Sequence, residues 1–261
     1  MRRAGIGLAA AALALLVGCE QDADVVVGPD VGEARSLGEA VSQVRNLRAK
    51  GELNGRTAVI VVRPGRYRME KPVVLTPEDS HLAVVGEDPE TCVFDGGIEL
   101  PPFKVGADGV WETEVPDGIE FEQVWVGGVR ATRARTPNRF YLYMRQPCAD
   151  APNSAFLADP ADVAPLSELD KEALDRVVVT YWQSWDMGYS RISALDAASG
   201  RLDLKMKPYW PFFYWSRTCP RYALENYRGA LDAPGEWFHD VKSGRLLYIP
   251  RSGESPATAR A

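Results

Sequence analysis

Residues Tyr222 to Pro250 read YALENYRGALDAPGEWFHDVKSGRLLYIP. Two short apolar and aromatic runs, EWFHD at 236–240 and RLLYIP at 245–250, flank VKSG at 241–244, which is turn chemistry, so the segment is expected to close as a β-hairpin. Asp232 to Gly235, DAPG, reads as a turn ahead of it. The residues that follow, 251–261, are small, polar or charged and read as a polar tail.

Composition sets outer limits on what such a hairpin can belong to. The chain has 261 residues, 46% hydrophobic and 10% aromatic, enough for one large domain or two smaller ones with a sizeable core. A formal net charge of -6 without a Lys/Arg cluster argues against nucleic acid and favours a neutral or weakly charged ligand. The two histidines, His81 and His239, and cysteines without ligand spacing make a metal site unexpected, and no cofactor is called for.

Arg2 and Arg3 precede an apolar run from Ala4 to Val17 that is too short for a membrane span, which reads as a secretory signal over 1–18. Leu16 to Cys19, LVGC, resembles the bacterial lipobox, so Cys19 is expected to carry a lipid and residues 19–30 to act as a tether. The competing reading is an ordinary signal peptide with an incidental cysteine. The expected address is the bacterial cell envelope, periplasm-facing or surface-exposed, with the membrane engaged only through the anchor. Of the remaining cysteines, Cys148 and Cys219 sit beside prolines and form the expected disulfide pair, while Cys92 lies in an apolar run.

Residues 31–109 combine one helix with short strands. Ser36 can cap a helix with Glu39 three positions on, and Leu37, Ala40, Val41, Val44 and Leu47 keep helical spacing until Gly51. Strands are then expected at 58–62, 71–75, 82–86 and 91–94, with a turn at 63–66. No helix after Gly51 is long enough to cross over a parallel sheet, so the strands pair as hairpins or stack as coils. A helix covering Val-rich strands looks like the cap and first coils of a right-handed parallel β-helix; a small β-sandwich is the other arrangement the same pattern fits.

Residues 110–216 are aromatic and irregular, and read as a second, all-β unit. Strands are expected at 111–115, 121–126, 177–182 and 202–206, a two-residue turn at Gly127-Gly128, and a helix over 167–176 capped by Ser167. The proline-broken aromatic run at 208–215 reads as a packed loop.

VWVGGVRATRARTPN at 124–138, LEN at 224–226 and LDAPGEW at 231–237, with the closing strand at 244–250, resemble the front portion of bacterial β-helix carbohydrate enzymes similar to glycoside hydrolase family 141. The resemblance implies a mainly β fold: the start of a right-handed parallel β-helix with an N-terminal capping helix, interrupted by an inserted β-rich domain at 110–216 and regained at 217–250. It implies a polysaccharide or oligosaccharide as partner. It also makes a demand on the structure: Ala58–Phe94 and Tyr222–Tyr227 must share one stack of sheets.

No catalytic pair is placed by these residues. A glycosidase needs two carboxyl groups roughly 5 to 9.5 Å apart, and the resemblance assigns them to later coils, so the chain is expected to be part of a larger enzyme without a complete catalytic site. A polysaccharide lyase of similar fold and a non-catalytic glycan-binding envelope protein are the alternatives. Arg133 and Arg135 share a face in an extended segment and suit sugar hydroxyls or a uronate, or a surface salt bridge. Trp182 and Trp185 suit stacking on a pyranose, or a buried core. Glu225, Asn226 and Glu236 suit ligand contact, the carboxylates alternatively a catalytic acid and Glu236 a solvated strand residue, while His239 suits a base or a structural or exposed place in the hairpin.

Overall fold

The computed structural model describes residues 23–106, 108–214 and 220–261. Cys19, the signal segment and Cys219 lie outside them. The chain is mainly β and divides into two compact units, 1–98 and 99–261.

In the first unit the helix Leu37–Ala49 forms as its cap predicts: the Ser36 hydroxyl accepts the Glu39 N–H at 3.1 Å, and the Glu39 carboxylate accepts the Arg35 N–H at 2.8 Å. Gly51 ends it at a φ of 74°. Strands Val25–Val27, Ala58–Val62 and Leu82–Gly86 form a parallel sheet in that order, and Gly65–Arg68 pairs in parallel with Cys92–Asp95. Alternation turns Val25, Val27, Ala58, Ile60 and Val62 inward against Ala40, Val41 and Val44 of the helix. The last strands are open on their far side: Val84, Val85, Val93 and Phe94 are each about two-fifths exposed. The expected strand at 71–75 is irregular, and residues 65 and 66, read as the end of the turn at 63–66, begin the strand Gly65–Arg68.

The second unit is built on two sheets. One runs Thr132–Arg133, Glu236–Asp240, Arg245–Tyr248, Trp111–Glu114, Lys104–Val105, and contains the expected hairpin. The other is antiparallel and runs Arg135–Thr136, Arg221–Glu225, Val178–Trp182, Met187–Asp196, Arg201–Leu204, Ala155–Leu157, Gln146–Pro147. Val179, Tyr181, Tyr222, Leu224 and Ile192 fill a core with Phe156, Met144 and Leu166. Trp237, Tyr248, Leu246 and Trp111 form a second core.

The stretch 129–136 links these sheets. Gly127 and Gly128, both at positive φ, turn the chain between Trp125–Val126 and Val129–Arg130. Thr132–Arg133 then joins one sheet and Arg135–Thr136 the other, with Ala134 donating to Trp237 O at 2.8 Å and accepting from Asn226 N at 2.9 Å.

Four expectations are corrected here. Tyr222–Tyr227 does not return to the sheets of Ala58–Phe94: Arg221–Glu225 lies between Arg135–Thr136 and Val178–Trp182, so 217–250 continues the second unit rather than a regained solenoid. Sheets are mostly antiparallel, and parallel pairing is concentrated in the first unit. Asp170, not Ser167, caps the helix Lys171–Leu174, because residues 164–168 wind as a 3₁₀ turn. The polar tail is packed, with Ala259 buried and the 260 and 261 carbonyls accepting from Gly127 and Leu100 N–H groups.

Candidate functional site

Strand pairing decides which side chains of the antiparallel sheet meet. Val178, Thr180 and Trp182 lie opposite Glu225, Ala223 and Arg221 on one side, and opposite Arg191, Tyr189 and Met187 on the other. Because side chains alternate, these residues share one face while Val179 and Tyr181 point into the core. The face is polar at the Glu225–Arg191 end and aromatic at the other. There the Tyr141 ring meets Trp182 edge-on at 4.7 Å, and the Arg221 guanidinium sits 4.7 Å from the Tyr141 centroid.

The polar end opens into a small recess bordered by Glu122, Arg133, Arg176, Arg191, Asn226 and His239, with Phe121 and Trp237 as apolar wall. Arg133 organises it. Its guanidinium pairs with the Glu122 carboxylate, donates to Glu122 O at 3.0 Å, lies 3.8 Å from Glu225 and rests 5.5 Å from the Trp237 ring centroid. The second Glu122 oxygen is 3.6 Å from Arg191, and Thr180 Oγ1 donates to Glu225 at 2.9 Å. Asn226 adopts a φ of 65° and donates its side-chain amide to Arg176 O at 2.9 Å.

His239 lies flat on Phe121, with ring centroids 4.9 Å apart. Burial, followed by the nearby Arg176 cation, pushes its pKa below the usual imidazole range. An unfolded histidine takes its proton near about pH 6.5, whereas the folded one stays neutral to lower pH. The unfolded state therefore binds more protons in that window, and the stability of the unit is lost as pH falls through it. His239→Gln is expected to shrink the drop in urea midpoint between about pH 7.5 and about pH 5.5; an equal drop in both proteins would assign the pH dependence elsewhere.

Of the residues singled out by sequence, Arg133, Glu225 and Asn226 come together. Arg135 is in register with Glu225, and its Nε and Nη2 are buried without a hydrogen-bond partner. Glu236 is not solvated. It is 3% exposed and accepts the Asp232 and Ala233 N–H groups at 3.1 Å each, so it braces the turn, and burial pushes its pKa up. Trp182 lies at the far end of the same face, while Trp185 is 66% exposed at the hairpin tip. Cys148 is a buried free thiol raised in pKa by burial, and Cys219, its expected disulfide partner, is outside the described residues. Sequence reasoning passed over Glu122, Arg176 and Arg191. Only Arg191 carried a signal, the alternation along 187–192.

The aromatic and arginine-rich sheet face, and the core beneath it, fall within residues 108–251, which match the GH141 insertion domain family model. The chain belongs to that family. A solved structure described as "Glycoside hydrolase" matches at a TM-score of 0.69 and 24% identity, covering 86% of this chain and 41% of that one. The chain thus spans less than half the length of that protein. No curated protein matches. The GH141 insertion domain begins within ten residues of the first unit's boundary and runs through the 236–248 hairpin, which accounts for that hairpin's place in the second unit.

Proposed function

We propose that this chain is the forward part of an exported, lipid-anchored glycoside hydrolase acting on polysaccharide glycosides. In this reading the parallel sheets of the first unit are the opening coils of a right-handed parallel β-helix, and the insertion domain supplies a glycan-binding face. The observation that carries it is the GH141 insertion domain following parallel-paired strands. The open apolar side of Leu82–Gly86 and Cys92–Asp95 supports it, since a further coil stacked there would cover Val84, Val85, Val93 and Phe94.

Hydrolysis of a glycoside uses one carboxyl group as acid and another as base or nucleophile. Glu122 and Glu225 are both engaged by Arg133, which suits them to holding a sugar hydroxyl network. The working pair is assigned to later coils of the solenoid. Trp182, with Tyr141 against its edge, offers a ring on which a pyranose can stack.

The test is calorimetric titration of residues 23–261 with neutral plant and algal oligosaccharides, alongside a reducing-end assay. Binding without turnover is expected, and Trp182→Ala is expected to weaken it about three- to tenfold, the equivalent of roughly 0.5–1.5 kcal/mol. Turnover by this segment that disappears in Glu225→Gln would overturn the assignment of catalysis to later coils. Incorporation of labelled palmitate into the full chain, lost in Cys19→Ser, is the expected result for the anchor.

A further inference from the structure

We infer that the recess beside Arg133 is an anion subsite that receives the charged group of an acidic sugar, above all the carboxylate of a uronic acid. The inference rests on the glycan-binding reading of the same sheet face.

Three guanidinium groups border the recess together with the carboxylates of Glu120 and Glu122, and the partners of the three are unequal. Arg133 and Arg191 share the Glu122 carboxylate, and Arg133 also has Glu225 at 3.8 Å. Arg176 borders the same recess, yet among the described residues its guanidinium has no ion pair or hydrogen bond. Arg135, in register with Glu225, has Nε and Nη2 buried without a hydrogen-bond partner but lies outside the recess lining. Arg176, at the recess and without an acceptor among the described residues, offers an incoming anion a charge-assisted hydrogen bond.

The surroundings are built to hold such a group still. The Arg176 carbonyl is fixed by the Asn226 amide at 2.9 Å, and Asn226 itself sits in the left-handed region. His239, neutral and flat on Phe121, adds a polar edge without adding charge. The recess is small, which suits a carboxylate or sulfate with its sugar ring lying outside, toward Tyr189 and Trp182 on the same face. A guanidinium presents a fork of N–H donors that meets a carboxylate, and likewise a tetrahedral oxyanion, in two parallel hydrogen bonds.

Residues 23–261 titrated calorimetrically with trigalacturonate, its methyl ester, a sulfated trisaccharide and neutral xylotriose test the proposal. Trigalacturonate is expected to bind at least about tenfold more tightly than its methyl ester, the loss being that of a charge-assisted hydrogen bond. Arg176→Gln is expected to erase that difference while leaving xylotriose binding and the urea midpoint unchanged, and Arg176→Lys to recover part of it. A sulfated probe that binds more tightly with the same Arg176 dependence supports the anion subsite and names sulfate as its source. Equal binding of the uronate and its methyl ester, with xylotriose still bound, overturns the subsite alone. Failure of every probe overturns the glycan reading with it.

Discussion

Trp237→Ala is expected to lower the unfolding free energy of the second unit by about 3–5 kcal/mol, the usual cost of truncating a buried indole. Trp237 is 2% exposed, packs against Phe121 at 5.4 Å and shares a core with Val126, Leu246 and Tyr248. Its backbone carbonyl also accepts the Ala134 N–H where the chain passes between the two sheets. The same ring underlies the Arg133 guanidinium, so its loss should loosen the Glu122 pair and weaken glycan binding together with stability. Urea unfolding followed by circular dichroism reads the effect, and Trp237→Phe, which refills much of the volume, should recover a good part of it. An unchanged midpoint for Trp237→Ala would mean that this core does not exist as described.

Gly200→Ala is expected to cost about 2–4 kcal/mol, by adding steric overpacking to an unfavourable left-handed conformation. Gly200 turns the chain between Met187–Asp196 and Arg201–Leu204 at a φ of 77°. A Cβ there would stand 2.4 Å from the Ala158 carbonyl oxygen, a backbone atom that cannot swing aside. Ala158 is itself buried and tied to Gly200 by a 2.8 Å hydrogen bond, so relief would require parting Ala155–Leu157 from its neighbour. Gly244 supplies the control, since its φ is 65° but nothing lies within 4 Å of a Cβ. Gly244→Ala should show only the conformational part, about 1–2 kcal/mol. Equal thermal shifts for the two variants would remove the close approach at Gly200.

Most local elements were legible because their causes lie within a few residues. Ser36 and Glu39 announce the helix Leu37–Ala49, and paired glycines announce the turn at 127–128. Elements whose partners are distant were not. Gly65–Arg68 turns only Tyr67 into the core, too little for a periodic signal, and becomes a strand by pairing with Cys92–Asp95. Arg221–Glu225 fell in the stretch expected to regain the solenoid, but one strand's alternation does not say which sheet it will enter.

The candidate site divides in the same way. Arg133, Glu225 and Asn226 stood out by residue type, and Trp182 by its place at the end of a strand. Glu122 lies in the expected strand 121–126 and Arg176 at the end of the expected helix 167–176, but neither pattern says what its side chain will meet, and they come beside Arg133 where two sheets converge at 132–136.

By itself the sequence determined the β-rich class, the helix and hairpin, and the resemblance to GH141 proteins, since caps, turns and alternation act through neighbours along the chain. The tertiary structure alone decided that Tyr222–Tyr227 belongs with the insertion domain, that Glu236 is a buried brace, and that three arginines border one recess. Those outcomes depend on which strands hydrogen-bond across long separations, and the free energy of that pairing resides in the assembled sheets rather than in any one segment.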